Sequence, residues 1–178
     1  MTLILLGFPC SGKTSVGKCV AERLGLPFID TDREVEKTFF QESGEPLSCY
    51  AITEKHGLTY FRDQEKKSIL QLTASPASII ALGGGTVLRE ANADHLRKIG
   101  HIVYLQAPFE ELVRRNLLRM PLPTYLDAAD PYGSCQKLYG VRIPYYEKYA
   151  HTTIDTTGLS VEQVAGAIIQ LAEVLDGK

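Results

Sequence analysis

An apolar, β-favouring run, Thr2-Leu3-Ile4-Leu5-Leu6, ends against Gly7-Phe8-Pro9-Cys10-Ser11-Gly12-Lys13-Thr14, and helix-forming sequence follows at once. Those eight residues fit G-x-x-x-x-G-K-[ST], in the strand–turn–helix context that a phosphate-cradling loop requires. Glycine lets the backbone wrap tightly, so that successive N–H groups point inward at phosphate oxygens. The helix that follows presents its free N–H groups and positive dipole end to the same anion. Lys13 is expected to reach the β- and γ-phosphates, and Thr14 to offer its hydroxyl to Mg²⁺. The nucleotide-contacting set is therefore Gly7, Cys10, Ser11, Gly12, Lys13, Thr14 and Ser15.

Downstream, short apolar runs alternate with longer amphipathic stretches, the pattern of βαβ units on a mainly parallel sheet. Lys13 to Leu24 is expected to be helical, with Val16, Val20 and Leu24 four residues apart and Gly25 as its stop. Pro27-Phe28-Ile29 reads as a second strand, closed by Asp30-Thr31-Asp32. Two acids at the C-terminal end of a strand sit where open α/β sheets bind ligands. Asp30 is expected on the metal side and Asp32 toward a second substrate. The alternative is structural: Asp32 precedes the helical stretch Arg33 to Phe40 and would cap it.

Leu47 to His56 and Leu58 to Leu72 read as helices separated by Gly57. Arg62 and Glu65 share one face of the second, where an exposed ion pair would contribute little. Ser78 to Leu82 is a buried strand running into Gly83-Gly84-Gly85. Three glycines carry a large ordering cost, which makes sense if a ligand must approach the backbone closely. His101 to Leu105 is the fourth strand, and Pro108 opens a helix carrying Arg114 and Arg115; with Arg119 they form a basic cluster. Between Met120 and Gly133, Pro121, Pro123, Pro131 and Gly133 leave no clear period, so a lid is expected over about 116–133. Cys135 to Tyr149 resumes as helix, interrupted at Pro144, and Thr152 to Asp155 is the last strand. Ser160 with Gln163 makes a capping box for a final helix with one apolar face.

Composition bounds the partners. With 178 residues, 44% apolar and 22% charged, the chain is expected to be one globular domain. A formal charge of −2 supplies no attraction for nucleic acid or an anionic membrane. No apolar run approaches the roughly 20 residues of a membrane span, and no basic n-region or cleavage site precedes the first strand. A cytoplasmic monomer is expected. Cys10, Cys19, Cys49 and Cys135 show no metal spacing and are expected to be free thiols.

Taken together, these motifs resemble those of the shikimate kinase family, over nearly the whole chain. The resemblance lies in their order: the phosphate loop, Asp30-Thr31-Asp32, Phe61-Arg62 with Glu65, Gly83-Gly84-Gly85, an arginine-bearing lid, then Arg142-Ile143-Pro144-Tyr145-Tyr146. It implies a P-loop three-layer α/β/α fold: a five-stranded parallel sheet with helices on both faces, similar to nucleoside monophosphate kinases. The substrate-binding helices would span about 32–73. The implied reaction moves the γ-phosphoryl of ATP to the 3-hydroxyl of shikimate. Lys13, Asp32 and Arg119 would be catalytic, with Thr14 and Asp30 on Mg²⁺ and Arg115 near the adenine. Arg62 and Arg142 would clamp the substrate carboxylate above a floor of Gly83, Gly84 and Gly85. Guanidinium forks suit a planar carboxylate better than lysines do. The chain departs from the family pattern in several places, among them a slightly longer segment between Gly44 and Gly57, Leu58 where a Glu is common, and a short loop after Asp155. Cys10 stands where a third loop glycine is usual, and Arg119-Met120-Pro121-Leu122 alters the lid spacing, leaving Arg114 as an alternative to Arg119. The competing function is another small-metabolite or nucleoside monophosphate kinase on the same core.

Overall fold

The computed structural model describes residues 1–119, 122–123 and 125–177. Five strands, β1 (Leu3–Leu6), β2 (Phe28–Asp30), β3 (Ile79–Ala81), β4 (His101–Gln106) and β5 (Thr152–Asp155), form one sheet in the order β2-β3-β1-β4-β5. Every pairing is parallel, with Leu3 opposite both Ile79 and His101. The helices are α1 (Lys13–Leu24), α2 (Thr31–Ser43), α3 (Cys49–His56), α4 (Leu58–Gln71), α5 (Glu90–Ile99), α6 (Phe109–Leu117), α7 (Pro131–Tyr149) and α8 (Val161–Leu175), with a single 3-10 turn over Thr86–Leu88.

The period-two alternation of a strand accounts for the two cores. Leu3 and Leu5 point to one face, where Val16 and Val20 of α1 and Val164 and Ile168 of α8 cover them. Ile4 and Leu6 point to the other, under Ile69, Leu96 and Tyr146. The burial of both faces is why β1 reads as an unbroken apolar run. A third, smaller cluster of Val35, Phe39, Ile52 and Phe61 holds α2, α3 and α4 together at one end of the sheet.

Several boundaries differ from the expected ones. The N-cap acid is Asp30, not Asp32: its carboxylate accepts the Asp32 N–H at 3.1 Å, and α2 begins at Thr31. Asp32 therefore projects from the first helical turn and not from a strand tip. α3 begins at Cys49, where Ser48 caps it through the Ala51 N–H. α7 begins at Pro131, not Cys135, because Asp130 caps it and Pro131 occupies the first turn, where its missing N–H costs nothing. Pro144 lies inside α7 without ending it. Met120, Pro121 and Thr124, part of the expected lid, lie outside the described residues.

Candidate active site

The C-terminal ends of β1, β2 and β3 open into a cleft of about 1030 Å³. This is the crevice beyond the strand ends where α/β sheets bind ligands. Cys10, Lys13 and Thr14 line it from the loop, Asp30 and Asp32 from the end of β2 and the start of α2, and Arg62, Gly83, Gly84, Gly85 and Arg142 complete the lining. Arg119 also lines the cleft, whereas Arg114 does not. Gly7, Ser11, Gly12, Ser15 and Arg115 are not among the residues that line it; Gly7 and Ser11 are buried and Ser15 is exposed. Arg115 donates to the Cys10 carbonyl at 3.2 Å and pairs with Glu111 at 2.6 Å, bracing the loop from outside.

The loop's shape comes from its backbone. Gly12 has φ of 91° and Cys10 has φ of 65°. Cys10 is the one non-glycine in the left-handed region among the described residues. A Cβ at Gly7 would stand 2.5 Å from Ser11 Oγ and 2.9 Å from the Leu105 carbonyl, so the first loop residue has no room for a side chain. Lys13 Nζ donates to the carbonyls of Gly7 and Phe8, each at 2.9 Å. Burial lowers the Lys13 pKa to about 8, against the raising pull of Asp32. Among the described residues the hydrogen bonds of Lys13 go to carbonyl dipoles and it forms no direct ion pair, which suits an anionic ligand in the loop.

Asp30 serves two elements. One carboxylate oxygen caps α2, and the other accepts the Thr14 hydroxyl at 3.1 Å. Among the described residues, no group of three or more histidines, cysteines and acids is placed to hold a metal by itself. A hydroxyl and a carboxylate at hydrogen-bond distance fit Mg²⁺, which keeps waters and takes phosphate oxygens as its remaining ligands. Burial raises the Asp32 pKa to about 6, with further contributions from Asp30 and Glu65.

The triple glycine proves to be a packing requirement. None of the three has a positive φ. A Cβ at Gly83 would meet Asp32 Oδ1 at 2.6 Å, one at Gly84 would meet Pro9 and Arg142, and one at Gly85 would run into the Arg62 guanidinium. The backbone is thus approached closely by the site's own side chains. Arg62 pairs with Glu65 at 2.7 Å, and Glu65, 1% exposed, also accepts the Thr86 hydroxyl at 2.8 Å. The glutamate is buried and the arginine half-buried, so the pair is not the exposed surface bridge that helical spacing alone suggests. Arg142 lies between the rings of Phe8 and Tyr125, 5.8 and 5.7 Å from their centroids. Its buried Nε has no hydrogen-bond partner among the described residues, and burial lowers its pKa. Arg62 and Arg142 enter the cleft beside the triple glycine, with Arg142 packed against Phe8 of the loop and Lys13 on the loop side.

Sequence reasoning missed four members of this site. Thr31 Oγ1 accepts the Gly83 N–H at 2.9 Å, and Thr86 orients Glu65. Asn116 donates to the Pro9 carbonyl at 2.9 Å, and Tyr125 lines the cleft. Only the threonine of Asp30-Thr31-Asp32 carried a signal, by lying inside a motif.

A loop that takes a phosphate chain, opposite a cationic pocket for a second anion, defines a P-loop kinase of the small-molecule class. The shikimate kinase family model matches residues 9–173. A shikimate kinase from Thermodesulfovibrio yellowstonii is 39% identical over 97% of this chain and 95% of its own. One from Caldanaerobacter subterraneus is 38% identical over 99% and 98%. Among solved structures, a shikimate kinase from Acinetobacter baumannii in complex with shikimate superposes with a TM-score of 0.85 at 32% identity, over 100% of this chain and 95% of that one. The chain belongs to the shikimate kinase family.

Proposed function

We propose that the enzyme transfers the γ-phosphoryl group of ATP to the 3-hydroxyl of shikimate, releasing ADP and shikimate 3-phosphate. The observation that carries this reading is the pair Arg62 and Arg142 on the wall of the cleft whose other side is the phosphate loop. Two guanidinium forks call for a carboxylate on the acceptor, and the nearby Asp32 calls for hydroxyls. The relative from Acinetobacter baumannii was solved with shikimate bound, which supports the same acceptor here.

Phosphoryl transfer needs alignment and charge neutralisation more than covalent help. Lys13 and the loop amides hold the triphosphate, with Gly7, Cys10, Ser11, Gly12 and Ser15 forming the cradle. Thr14 and Asp30 would hold Mg²⁺, which would supply neutralisation of charge on the phosphate oxygens. Arg62 and Arg142 fix the acceptor carboxylate, and Glu65 fixes Arg62. Gly83, Gly84 and Gly85 form the floor. Asp32 accepts a hydrogen bond from the attacking hydroxyl and takes its proton. Arg119 brings positive charge to the transferring group, a role its place on the cleft favours over Arg114. Arg115 supports the loop on the adenine side. The segment around 116–133 acts as the lid that excludes water, and the helices of about 32–73 form the acceptor-binding part of one kinase domain. Among the described residues no helix is long and apolar enough to cross a membrane, in keeping with a cytoplasmic enzyme.

The test is ADP release with shikimate, gluconate and nucleoside monophosphates as acceptors. Turnover with shikimate is expected. Turnover with another acceptor alone would assign the chain to a different small-metabolite or nucleotide kinase.

A further inference from the structure

Asn116 Nδ2 donates both of its hydrogens to backbone carbonyls, that of Pro9 at 2.9 Å and that of Leu112 at 2.8 Å. Its Oδ1 is therefore the only acceptor left on the amide, and it receives the Tyr125 hydroxyl at 2.7 Å. With its proton committed to Asn116, the Tyr125 oxygen has only lone pairs to offer the cleft. Arg119 Nη1 donates to that oxygen at 3.4 Å. The direction of every bond follows from two carbonyls in fixed backbone. The series runs from Arg119 through Tyr125 and Asn116 to Pro9, a residue of the phosphate loop. The ring of the same tyrosine lies over the Arg142 guanidinium, 5.7 Å from centroid to Cζ.

We propose that Tyr125 is a positioning residue of the kinase reaction: its hydroxyl parks Arg119 in register with the phosphate loop through Asn116, while its ring holds Arg142 at the acceptor end. The proposal rests on the kinase reading above. An arginine side chain loses much rotamer freedom when it is fixed, so a partner that restricts Arg119 beforehand reduces what must be lost in the transition state. A neutral phenol oxygen at 3.4 Å is a weak acceptor, which a charged phosphoryl oxygen displaces readily. Burial pushes the Tyr125 pKa up to about 12, so the hydroxyl keeps its proton, and the bond directions above, across the working range of pH. One side chain thereby links the donor and acceptor ends of the cleft.

The experiment is a double-mutant cycle of Tyr125→Phe and Arg119→Ala, read as kcat and as acceptor KM, with whichever acceptor supports turnover in the unmodified enzyme. Tyr125→Phe alone is expected to lower kcat about tenfold, with acceptor KM held within about twofold because the ring remains over Arg142. In the Arg119→Ala background the same change is expected to alter kcat by less than about twofold, since the group it positions is gone. Tyr125→Leu removes the ring as well and is expected to raise acceptor KM about fivefold. Equal kcat losses for Tyr125→Phe in both backgrounds, or no loss in either, would overturn the proposal. Thermal melts of all variants separate a folding defect, which would move kcat alike in both backgrounds. Failure of shikimate as acceptor in the unmodified enzyme counts against the kinase assignment and leaves the cycle to be read with another acceptor.

Discussion

Arg62 Nη1 stands 2.7 Å from Glu65 Oε2, and the glutamate is buried while the arginine opens onto the cleft. The buried acid thus fixes the exposed fork that meets the acceptor. Glu65→Gln keeps the shape, but its single carbonyl oxygen can accept from Thr86 or from Arg62 and not from both, so the charged hydrogen bond to Arg62, worth about 1.5–3 kcal/mol, is lost when Thr86 keeps its partner. Acceptor KM is expected to rise about tenfold or more by that measure, with ATP KM little changed. Steady-state kinetics with each substrate varied in turn check this split.

Arg142, 4% exposed, has a buried Nε with no partner among the described residues and stacks against the rings of Phe8 and Tyr125. Arg142→Lys keeps the charge but loses both the planar fork and the stacking. Acceptor KM is expected to rise by at least about tenfold, in line with a charged bond of roughly 1.5–3 kcal/mol. An unchanged acceptor KM would remove Arg142 from the carboxylate clamp.

The pH dependence follows from two shifted groups. Asp32, with a pKa near 6, must be ionised to take a proton, and Lys13, with a pKa near 8, must be charged to meet phosphate. The ratio kcat/KM reports the free enzyme, so it is expected to rise with pH through about 6 and fall above about 8. For stability the sign at Asp32 is opposite to that of a salt-bridged acid. Its folded pKa lies above the unfolded value near 4, so the folded state binds the proton more tightly. That contribution is expected to fall as pH rises from about 4 to about 6, and Asp32→Asn should abolish it in denaturant titrations across this window.

At the opposite end of the sheet, the His101 and His151 rings stack 4.9 Å apart, and His151 Nδ1 accepts the Ile102 N–H at 2.9 Å. An imidazole that accepts there must be neutral at that nitrogen. Burial lowers both pKa values, with His151 adding to the effect on His101 and Arg97 to that on His151. The stability they contribute is present above the ordinary histidine value of about 6.5 and is lost as pH falls below it. The difference in unfolding midpoint between pH 7.5 and pH 5.5, taken as round values about that pKa, is expected to be smaller in His151→Asn than in the unmodified chain.

Much of this was legible because the local signal and the tertiary outcome agree. Helix α1 runs from Lys13 to Leu24 as expected because Gly25 adopts φ of 65° and stops it. The capping box of Ser160 and Gln163 forms as its spacing demands. The misses arise where one residue type serves two purposes. Pro131 and Gly133 read as breakers, yet a proline in the first turn beside an aspartate cap begins a helix. Asp30 and Asp32 are equivalent in the sequence, and only the chain's turn into α2 makes one of them the cap. Tyr125 and Asn116 were invisible because their meaning lies in contacts with Pro9 and Arg142, far away in the chain. At Gly83-Gly84-Gly85 the sequence suggests close approach of a ligand, whereas the groups that crowd the backbone are the side chains of Asp32, Arg142 and Arg62, which come from distant parts of the chain.

Cys10 tests the loop itself. A side chain in the left-handed region costs roughly 1–2 kcal/mol, partly offset in glycine by its greater chain entropy. Cys10→Gly is expected to raise stability by up to about 1 kcal/mol and to leave ATP KM within about twofold, whereas Cys10→Val should destabilise by more than about 1 kcal/mol. Denaturant midpoints and ATP kinetics on the two variants check both halves.

The central claim is transfer from the loop's triphosphate to one hydroxyl of an acceptor held by Arg62 and Arg142. Phosphorus NMR of the product formed from ATP and shikimate tests it most directly. The account predicts one phosphomonoester, with phosphorus coupled to the proton at position 3 of the ring, formed in step with ADP. A phosphoryl group on another hydroxyl, or ADP release that does not depend on shikimate, would contradict it.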